Sequence, residues 1–581
     1  MEHHPSERPG EINIMVAGAA GQGMQTIGAV LGKFFVRQGN QVFAVQDNQS
    51  RIRGGHNTFQ LRAADHPVRA VSMPLEVLIA LNQESVDRHI GEVASWGVIV
   101  HDSDKTRVPD EGPAGLGLPL ETLAVEAGGN RIYANSVALG AVLALLDWDV
   151  AGMEAFLEEY YAAKAGMAAA NARAARLGYE RARDQAGRYG GPRIRPRNAK
   201  PRMFVSGHEA VALGALAAGC RFMSAYPMSP STSIISFLAE QAEDFGLVAE
   251  QAEDEIAAVN MAIGAAWAGV RSLTATSGGG FSLMVEGLGL AGITETPLVI
   301  VEAQRPGPST GIATKTEQPD LLFVLHASQD EFPRIILAPG TAREAFEAAI
   351  RAFDLADQYQ TPVIILTDQF LADSYFTEER FDVSALWIDR HLITSEEAEA
   401  LREYKRYRIT DSGISPRALP SSYGFTVGAD SHEHDEYAHI SENIENRVAM
   451  MDKRFRKMEG AAREQAPPTV FGPETADLCL VGWGSTYGAL EEAVEMLNRE
   501  GHSVMGLHLG VLWPFPGDHL ARILAGAKRW AVVEANYSGQ LARLIRTELM
   551  RQPEAAILKY TGRPFTGIEI ADRVRKGVLE R

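Results

Sequence analysis

Apolar positions along the chain repeat one rhythm three times: a short apolar run, a turn of small residues, then a longer stretch with apolar positions three and four apart. The first round opens with Ile12-Asn-Ile-Met-Val-Ala17, turns through Gly18-Ala-Ala-Gly21-Gln-Gly23, and runs on as a helical stretch from Met24 to about Gln38. Strand, glycine turn and helix are the opening of a βαβ unit. Apolar runs at 42–45, 77–81 and 98–100 predict further strands, and 135–146 predicts a buried Ala/Leu helix. Residues 151–185, rich in Ala, Glu and Arg, should be helical, which closes an α/β domain at 11–185.

Gly187-Arg-Tyr-Gly-Gly-Pro-Arg-Ile-Arg-Pro-Arg-Asn198 then marks a linker over 186–200, since glycine, proline and unpaired basic residues do not sustain an element. A second α/β domain follows over 201–375. Its strands are predicted at 272–276, 298–302, 334–337 and 361–367, and a helix dense in Ala and Gly at 255–269. Residues 376–470 are polar and weakly periodic and read as a connecting arm; stretches of that length without their own elements are often functional. A third α/β domain, 471–581, carries strands at 478–481, 504–509 and 530–534, a helix at 489–498 and a turn at Pro514-Phe-Pro516. The fold class is therefore α/β, built from several doubly wound domains.

Composition narrows the function classes. The chain has 581 residues, 46% hydrophobic and 22% charged, which is ordinary for a globular protein. A net charge of −19 argues against nucleic acid, whose binders present a basic face. Neither a cationic leader followed by an apolar run nor an uninterrupted apolar stretch of ~18 residues occurs, so a cytoplasmic protein without a membrane anchor is expected. Two cysteines, Cys220 and Cys479, exclude a disulfide framework and an iron–sulfur cluster held by this chain's cysteines alone. Both are expected to pack as small apolar residues. No metal-ligand set is predicted.

Five motifs carry candidate chemistry. Gly18–Gly23 sits where a phosphate-binding turn would sit, but its spacing is not G-x-G-x-x-G, so a purely structural tight turn stands beside the dinucleotide reading. Arg51-Ile-Arg-Gly-Gly55 could hold a phosphate or form a solvated basic loop. Tyr226-Pro-Met-Ser-Pro-Ser-Thr232 holds three hydroxyls on a backbone stiffened by two prolines, which suits a substrate floor or a helix start capped by Ser231 or Thr232. Glu250-Gln-Ala-Glu-Asp-Glu255 clusters four carboxylates before an apolar helix. Acids in a first turn complement the helix dipole, yet Glu255 adjoins residues that should be buried, and a desolvated carboxylate there is available for proton chemistry. Gln304-Arg-Pro-Gly-Pro-Ser-Thr-Gly311 follows a strand's carboxyl end, where Arg305 could fork onto a carboxylate or lie on the surface beside a turn.

Together these motifs resemble the 2-oxoacid:ferredoxin oxidoreductases. Tyr226–Thr232 is similar to the family's YPITPST loop, with Ser229 in place of threonine. Residues 255–269 resemble its Glu-x-x-Ala…Gly-Ala-x-x-Ala-Gly helix, and Thr276-Ser-Gly-Gly-Gly280 and 304–311 its following loops. Gly18–Gly23 with Arg53-Gly-Gly55 resembles the γ domain, Ala20 replacing a glycine. Gly413-Ile-Ser-Pro-Arg417, Glu433-His-Asp-Glu436 and Lys453-Arg454 resemble the connecting arm. Gly482-Trp-Gly-Ser485, Pro514-Phe-Pro516 and Glu534-Ala-Asn-Tyr-Ser-Gly-Gln540 resemble the transketolase C-terminal-like domain. The likeness runs through nearly the whole chain, and its order is that of an alpha subunit with a fused gamma domain, most like the 2-oxoglutarate type. It implies a gamma domain at 11–185, a thiamine pyrimidine-binding domain at 201–375 and a transketolase C-terminal-like domain at 471–581.

The resemblance also implies a site. Thiamine diphosphate would be shared between this chain and a β subunit, with Glu255, Ser229, Gly278 and Gly279 on its aminopyrimidine side. Glu255 would hydrogen-bond the aminopyrimidine ring nitrogen. Arg305 would hold the substrate's C1 carboxylate, and Ser229 would donate its hydroxyl near the 2-oxo oxygen. Tyr226, Pro227, Ser309, Thr310, Thr314 and Lys315 would line the substrate pocket, Lys315 suiting a second carboxylate and so 2-oxoglutarate. The family's Gly-Asp-Gly diphosphate motif does not occur; Gly517-Asp518 continues with His519. Mg2+ and a [4Fe-4S] cluster are therefore expected on the β subunit, with coenzyme A as co-substrate, ferredoxin as electron acceptor and a dimer of αβ heterodimers as the assembly. The reaction could run oxidatively or towards carbon fixation. Pyruvate or a branched-chain 2-oxoacid is the alternative substrate. An NAD-dependent dehydrogenase and a non-catalytic docking subunit are the readings from other classes.

Overall fold

The structure is a computed structural model that describes residues 10–49, 55–164, 166–186 and 194–580. It divides into two compact units, one formed by residues up to 205 with 373–380, the other by 206–372 with 381 onwards.

The first unit is built on an eight-stranded mixed sheet in the order Ala114–Leu118, Val93–Asp102, Leu75–Ala80, Glu11–Ala19, His56–Ala64, Gln41–Asp47, Ser374–Glu378, Met203–Ser206. The opening strand, the turn and the helix Met24–Arg37 form as the sequence pattern predicts. The strand His56–Ala64 does not follow from periodicity. Its residues His-Asn-Thr-Phe-Gln-Leu-Arg-Ala-Ala mix polar and apolar types, yet every one is buried, and it lies antiparallel between Glu11–Ala19 and Gln41–Asp47. Arg62 is tolerated there because Glu11 accepts from its Nε at 2.9 Å and Ala70 O from its Nη1 at 3.1 Å. The helices Ala134–Leu145 and Met167–Ala186 cross closely because small residues face each other: a Cβ on Gly140 would lie 1.8 Å from Ala175 O.

The expected connecting arm begins differently. Ser374–Glu378 is a strand of the first unit's sheet, pairing antiparallel with Gln41–Asp47. An edge strand exposes backbone donors and acceptors that any extended segment can satisfy, and side-chain alternation does not say which sheet will take it.

The second unit holds a seven-stranded sheet in the order Val511–Trp513, Ile335–Leu337, Pro362–Asp368, Leu298–Gln304, Ser272–Thr276, Phe222–Ala225, Val248–Gln251. All its pairs are parallel except the first. A five-stranded sheet follows, in the order Thr469–Phe471, Val504–Leu509, Ala476–Trp483, Ala527–Glu534, Ala555–Leu558. Val511–Trp513 pairs with Ile335–Leu337, so the last α/β segment lends a strand to the sheet before it, and their apolar side chains merge in one core cluster. Cys220 and Cys479 are buried, and burial pushes both thiols up to about 12. Among the described residues no helix is long and apolar enough to cross a membrane.

Residues 381–443 hold little regular structure beyond the helix Ser395–Ala400, and the helix Ile444–Arg463 follows. Buried charge fixes this stretch. Asp357 accepts from Arg271 Nε at 2.8 Å, Arg390 Nε at 3.0 Å and Arg417 Nη1 at 2.9 Å. Glu295 is ion-paired with Lys453 and with Lys457, all three nearly inaccessible, while Arg406 donates to Gln360 Oε1 and to the carbonyl of Glu295. Burial pushes the Asp357 carboxyl up, and Arg417, Arg390 and Arg271 outweigh that, holding it below the usual range. A depressed carboxyl contributes stability that is full above the usual carboxylate range and lost as pH falls through the depressed value. Asp357→Asn, which leaves Arg390 and Arg417 without this anion and Arg271 with Asp354 alone, is expected to cost about 3–5 kcal/mol at neutral pH. The deficit should shrink as pH falls below the carboxylate range. Denaturant midpoints across pH check this, and a pH-independent difference would contradict it.

Candidate functional site

Four parallel strands of the second unit, Phe222–Ala225, Ser272–Thr276, Leu298–Gln304 and Pro362–Asp368, end on one edge of the sheet, and the loops and the helix start that follow those carboxyl ends contain every candidate site residue of that unit except Glu255. That edge is where open α/β sheets bind ligands. Glu255 begins the helix Glu255–Trp267 that follows the strand Val248–Gln251.

The run of carboxylates at 250–255 separates by role. Glu250 and Glu253 are exposed, and Asp254 caps the helix by accepting from Ala257 N at 2.8 Å. Glu255 alone is buried, 2% exposed, and its Oε1 meets no hydrogen-bond partner in the protein. An unpaired carboxyl oxygen sealed from water is costly unless something outside the chain satisfies it. The glycines of the next loop stand against it. A Cβ on Gly280 would lie 2.4 Å from Glu255 Oε1 and 2.1 Å from Thr276 Oγ1, while one on Gly278 would lie 2.6 Å from Asp320 Oδ2. A Cβ on Gly279 would have Ser309 O as its nearest neighbour, at 3.8 Å. These three glycines open the helix Gly278–Ile293 and leave its first turn bare of side chains. Glu255, Ser309 and Asp320 are thereby gathered round one small-residue turn. Such a turn can admit a flat ring edge, and Glu255 Oε1 can pair with a ring nitrogen there.

Arg305 links two loops. Its Nη1 donates to the backbone carbonyl of Ser229 at 2.7 Å, and burial lowers the guanidinium pKa without neutralising it at physiological pH. Tyr226, Pro227 and Ser229 are exposed along the same loop. The loop is supported from beneath by His208, whose Nδ1 meets Ser233 Oγ at 2.9 Å and whose Nε2 meets Thr367 Oγ1 at 3.1 Å. Burial lowers the His208 pKa to about 3, so it holds these hydroxyls as a neutral ring. Ser231 occupies the position before the helix Thr232–Glu240 without capping it; its hydroxyl donates back to Met228 O at 2.7 Å.

Ser309 and Thr310 are exposed on the 305–311 turn, where Ser309 takes a φ of 54°. Thr314 and Lys315 are half-buried further along, and Lys315 lies beside Gly562, where a Cβ would sit 3.1 Å from the lysine's Cβ. The segment after them is fixed by Gln318, which donates to Trp483 O at 2.9 Å and accepts from Ala535 N at 3.0 Å. The structure thus brings Glu255 and Gly278–Gly280 together with Ser309, and Ser229 together with Arg305. Thr314 and Lys315 pack on the side of the last α/β segment.

Three acids at this edge, Glu302 and Asp368 buried and Asp320 half-buried, carry no role in the sequence reading. Glu302 is fully buried with neither carboxyl oxygen hydrogen-bonded to a conventional donor, and Asp368 is buried at the end of its strand. Burial, then Asp320 and Asp368, pushes the Glu302 carboxyl well above the usual range. Burial raises Asp320 and Asp368 to about 6 each. One signal for Glu302 was present: a carboxylate inside Leu298-Val-Ile-Val-Glu-Ala-Gln304, an otherwise apolar strand with neighbours on both sides.

In the first unit, Gly21 and Gly23 take positive φ, and the turn is filled by Gln22, whose Oε1 accepts from Ala19 N at 2.7 Å and whose Nε2 donates to Leu81 O at 3.2 Å. Of the companion motif, Arg51 to Gly54 lie outside the described residues.

Comparison with known proteins agrees along the whole chain. The family described as "Pyruvate flavodoxin/ferredoxin oxidoreductase, thiamine diP-bdg" matches residues 213–453, "Pyruvate ferredoxin/flavodoxin oxidoreductase" residues 13–181, and "Pyruvate:ferredoxin oxidoreductase core domain II" residues 476–570. The alpha subunit of 2-oxoacid:ferredoxin oxidoreductase 2 from Aeropyrum pernix is 33% identical over 98% of both chains. The 2-oxoglutarate oxidoreductase subunit KorA of Mycobacterium tuberculosis is 30% identical over 99% of this chain and 93% of its own. A solved 2-oxoglutarate:ferredoxin oxidoreductase from Magnetococcus marinus, with 2-oxoglutarate, coenzyme A and succinyl-CoA bound, superposes with a TM-score of 0.91 at 32% identity, covering 98% of this chain and 99% of that one.

The close approach at Gly280 gives a direct check. Gly280→Ala must displace both Glu255 and Thr276 and is expected to destabilise the chain by about 1–3 kcal/mol, as overpacking does. A denaturant midpoint equal to wild type would show that the turn has room the structure denies it.

Proposed function

The chain belongs to the 2-oxoacid:ferredoxin oxidoreductase family as an alpha subunit, and on that footing we propose that it converts 2-oxoglutarate and coenzyme A to succinyl-CoA and CO2 while ferredoxin is reduced, acting with a β subunit. The observation that carries the reading is Glu255: a buried carboxylate whose unpaired oxygen lies against Gly280, the last of three glycines that open the helix after the strand Ser272–Thr276.

The residues present fit thiamine diphosphate's aminopyrimidine end, which Glu255 would hold through a hydrogen bond at its free oxygen beside Gly280, with Gly278 and Gly279 in the same turn. When bound, thiamine diphosphate supplies the electron sink that decarboxylation of a 2-oxoacid needs. Glu255 holds a proton at a ring nitrogen in a site from which glycines exclude other side chains. Arg305 orients the substrate by its C1 carboxylate in a charge-assisted pair, its own position set by the Ser229 carbonyl. Ser229 donates its hydroxyl to the 2-oxo oxygen, and Tyr226, Pro227, Ser309 and Thr310 form the floor. Thr314 and Lys315 meet the substrate's tail, the ammonium suiting a second carboxylate. The names of the relatives support this choice, since two of those described above act on 2-oxoglutarate. The diphosphate, Mg2+ and [4Fe-4S] cluster fall to the β subunit in this reading, and two αβ heterodimers form the assembly.

Glu255→Gln keeps the side chain's shape and removes its ability to hold that proton. In the assembled enzyme kcat is expected to fall by ~10²-fold or more, the scale of general acid–base effects. Near wild-type turnover would remove Glu255 from this role. With the wild-type complex, pyruvate should give a kcat/KM well below that for 2-oxoglutarate; equal values would contradict the assignment of Lys315.

A further inference from the structure

His208 is the second residue of the helix Gly207–Ala217 and is fully inaccessible. Its backbone is fixed on two sides. Ser206 caps the helix by accepting from Glu209 N at 3.1 Å, and Glu209 accepts in return from Ser206 N at 2.7 Å. Gly207 lets the helix start press onto the residues after the strand Pro362–Asp368, since a Cβ there would lie 2.4 Å from Leu371 O. The ring therefore reaches both that strand and the segment after Ser229 from a fixed point.

The hydrogens around the ring can be assigned. Ser233 Oγ donates its single proton to Pro230 O at 3.2 Å, so towards His208 Nδ1, 2.9 Å away, it accepts. Nδ1 thus carries the ring hydrogen. Burial keeps the ring neutral, so Nε2 is left as the acceptor and Thr367 Oγ1 donates to it at 3.1 Å. The bonds run in one direction, from Thr367 to His208 to Ser233 to Pro230. Both ring nitrogens are occupied, which leaves neither for a substrate.

That chain ends on the loop carrying Ser229. Three successive carbonyls there each accept from a different donor: Met228 O from Ser231 Oγ at 2.7 Å, Ser229 O from Arg305 Nη1 at 2.7 Å, and Pro230 O from Ser233 Oγ. The third leads back through His208 to Thr367, whose own carbonyl accepts from Gln304 Nε2 at 3.0 Å. Gln304 precedes Arg305, and its strand pairs with Pro362–Asp368 in register, Ala303 beside Thr367. The contacts close a circuit. Arg305 and Ser229 hold each other directly, and both are held from behind through Thr367.

We propose that His208 is a positioning residue for the 2-oxoacid. Through Ser233 and Pro230 it fixes where the loop presents Ser229, and so where Arg305, bonded to the Ser229 carbonyl, meets the substrate's C1 carboxylate. This rests on the function proposed above and adds to it a residue that touches no substrate. Misplacing such groups by about 1 Å costs as much as ~10²-fold.

Steady-state kinetics of the αβ complex test it. Ser233→Ala and His208→Leu each break the circuit, and each should raise KM for 2-oxoglutarate by about tenfold while KM for coenzyme A stays unchanged. His208→Asn, whose amide donates from the place of Nδ1, should bring KM for 2-oxoglutarate back close to wild type. The double variant Ser233→Ala/His208→Leu should be no worse than the poorer single one, because both act on one chain of bonds. Hydrogen exchange of the complex without substrate supplies a second readout. Amides within 228–233 should exchange faster in Ser233→Ala and His208→Leu than in wild type or His208→Asn. If His208→Leu does not assemble, Ser233→Ala against His208→Asn makes the same comparison. A wild-type KM for 2-oxoglutarate in Ser233→Ala, an equal rise in both KM values, or a His208→Asn variant as impaired as the broken ones overturns the proposal. A wild-type complex that turns over no 2-oxoacid overturns the reaction instead, and the exchange rates still decide whether His208 holds the loop.

Discussion

A carboxyl group sealed from water demands a partner, and at the carboxyl edge of the seven-stranded sheet the chain supplies too few. Neither Glu255 Oε1 nor either carboxyl oxygen of Glu302 has a hydrogen-bond partner in the protein. Leaving such groups unpaired costs on the order of 1–3 kcal/mol or more each, so their persistence calls for compensation from a ligand or a retained proton. Gly278 and Gly280 make the arrangement possible, since a Cβ at the first would collide with Asp320 and at the second with Glu255 and Thr276. The site is thus an absence of side chains held open between acids.

Holding it open falls to charges buried elsewhere in the second unit. Asp357 with three arginines, and Glu295 with two lysines, pin the irregular stretch 381–443 and the helix after it onto the sheet and its helices. Gln318 ties the loop carrying Thr314 and Lys315 to Trp483 and Ala535. Sites need a rigid frame to keep reacting groups within a fraction of an ångström, and here polar contacts supply it where regular elements are missing.

Much of this could be read before any coordinates. Strands at 272–276 and 504–509 fall where β-branched and apolar runs predict, because buried parallel strands write their burial continuously into the sequence. The strand His56–Ala64 was hidden by its own polar residues, whose burial depends on partners such as Glu11 that lie far along the chain. Ser374–Glu378 was hidden by its destination, since pairing with the first unit's sheet is a choice among edges that local pattern does not encode. At the site, local chemistry singled out Glu255 by its junction with an apolar helix, and the structure separates it from its exposed neighbours Glu250 and Glu253. Glu302 left a trace as a carboxylate inside an apolar strand, whereas Asp320 lies in an irregular segment whose place beside Gly278 local pattern does not encode.

The account stands or falls on what this chain does once its partner is present. The most direct measurement is reduction of a viologen dye by the chain alone, by its β subunit alone and by the two combined, each with thiamine diphosphate, Mg2+, 2-oxoglutarate and coenzyme A. The account predicts no reduction by either part and 2-oxoglutarate-dependent reduction by the combination. A combined complex that carries its cluster yet leaves the dye oxidised with every 2-oxoacid offered would contradict it, and the buried acids would then need another explanation.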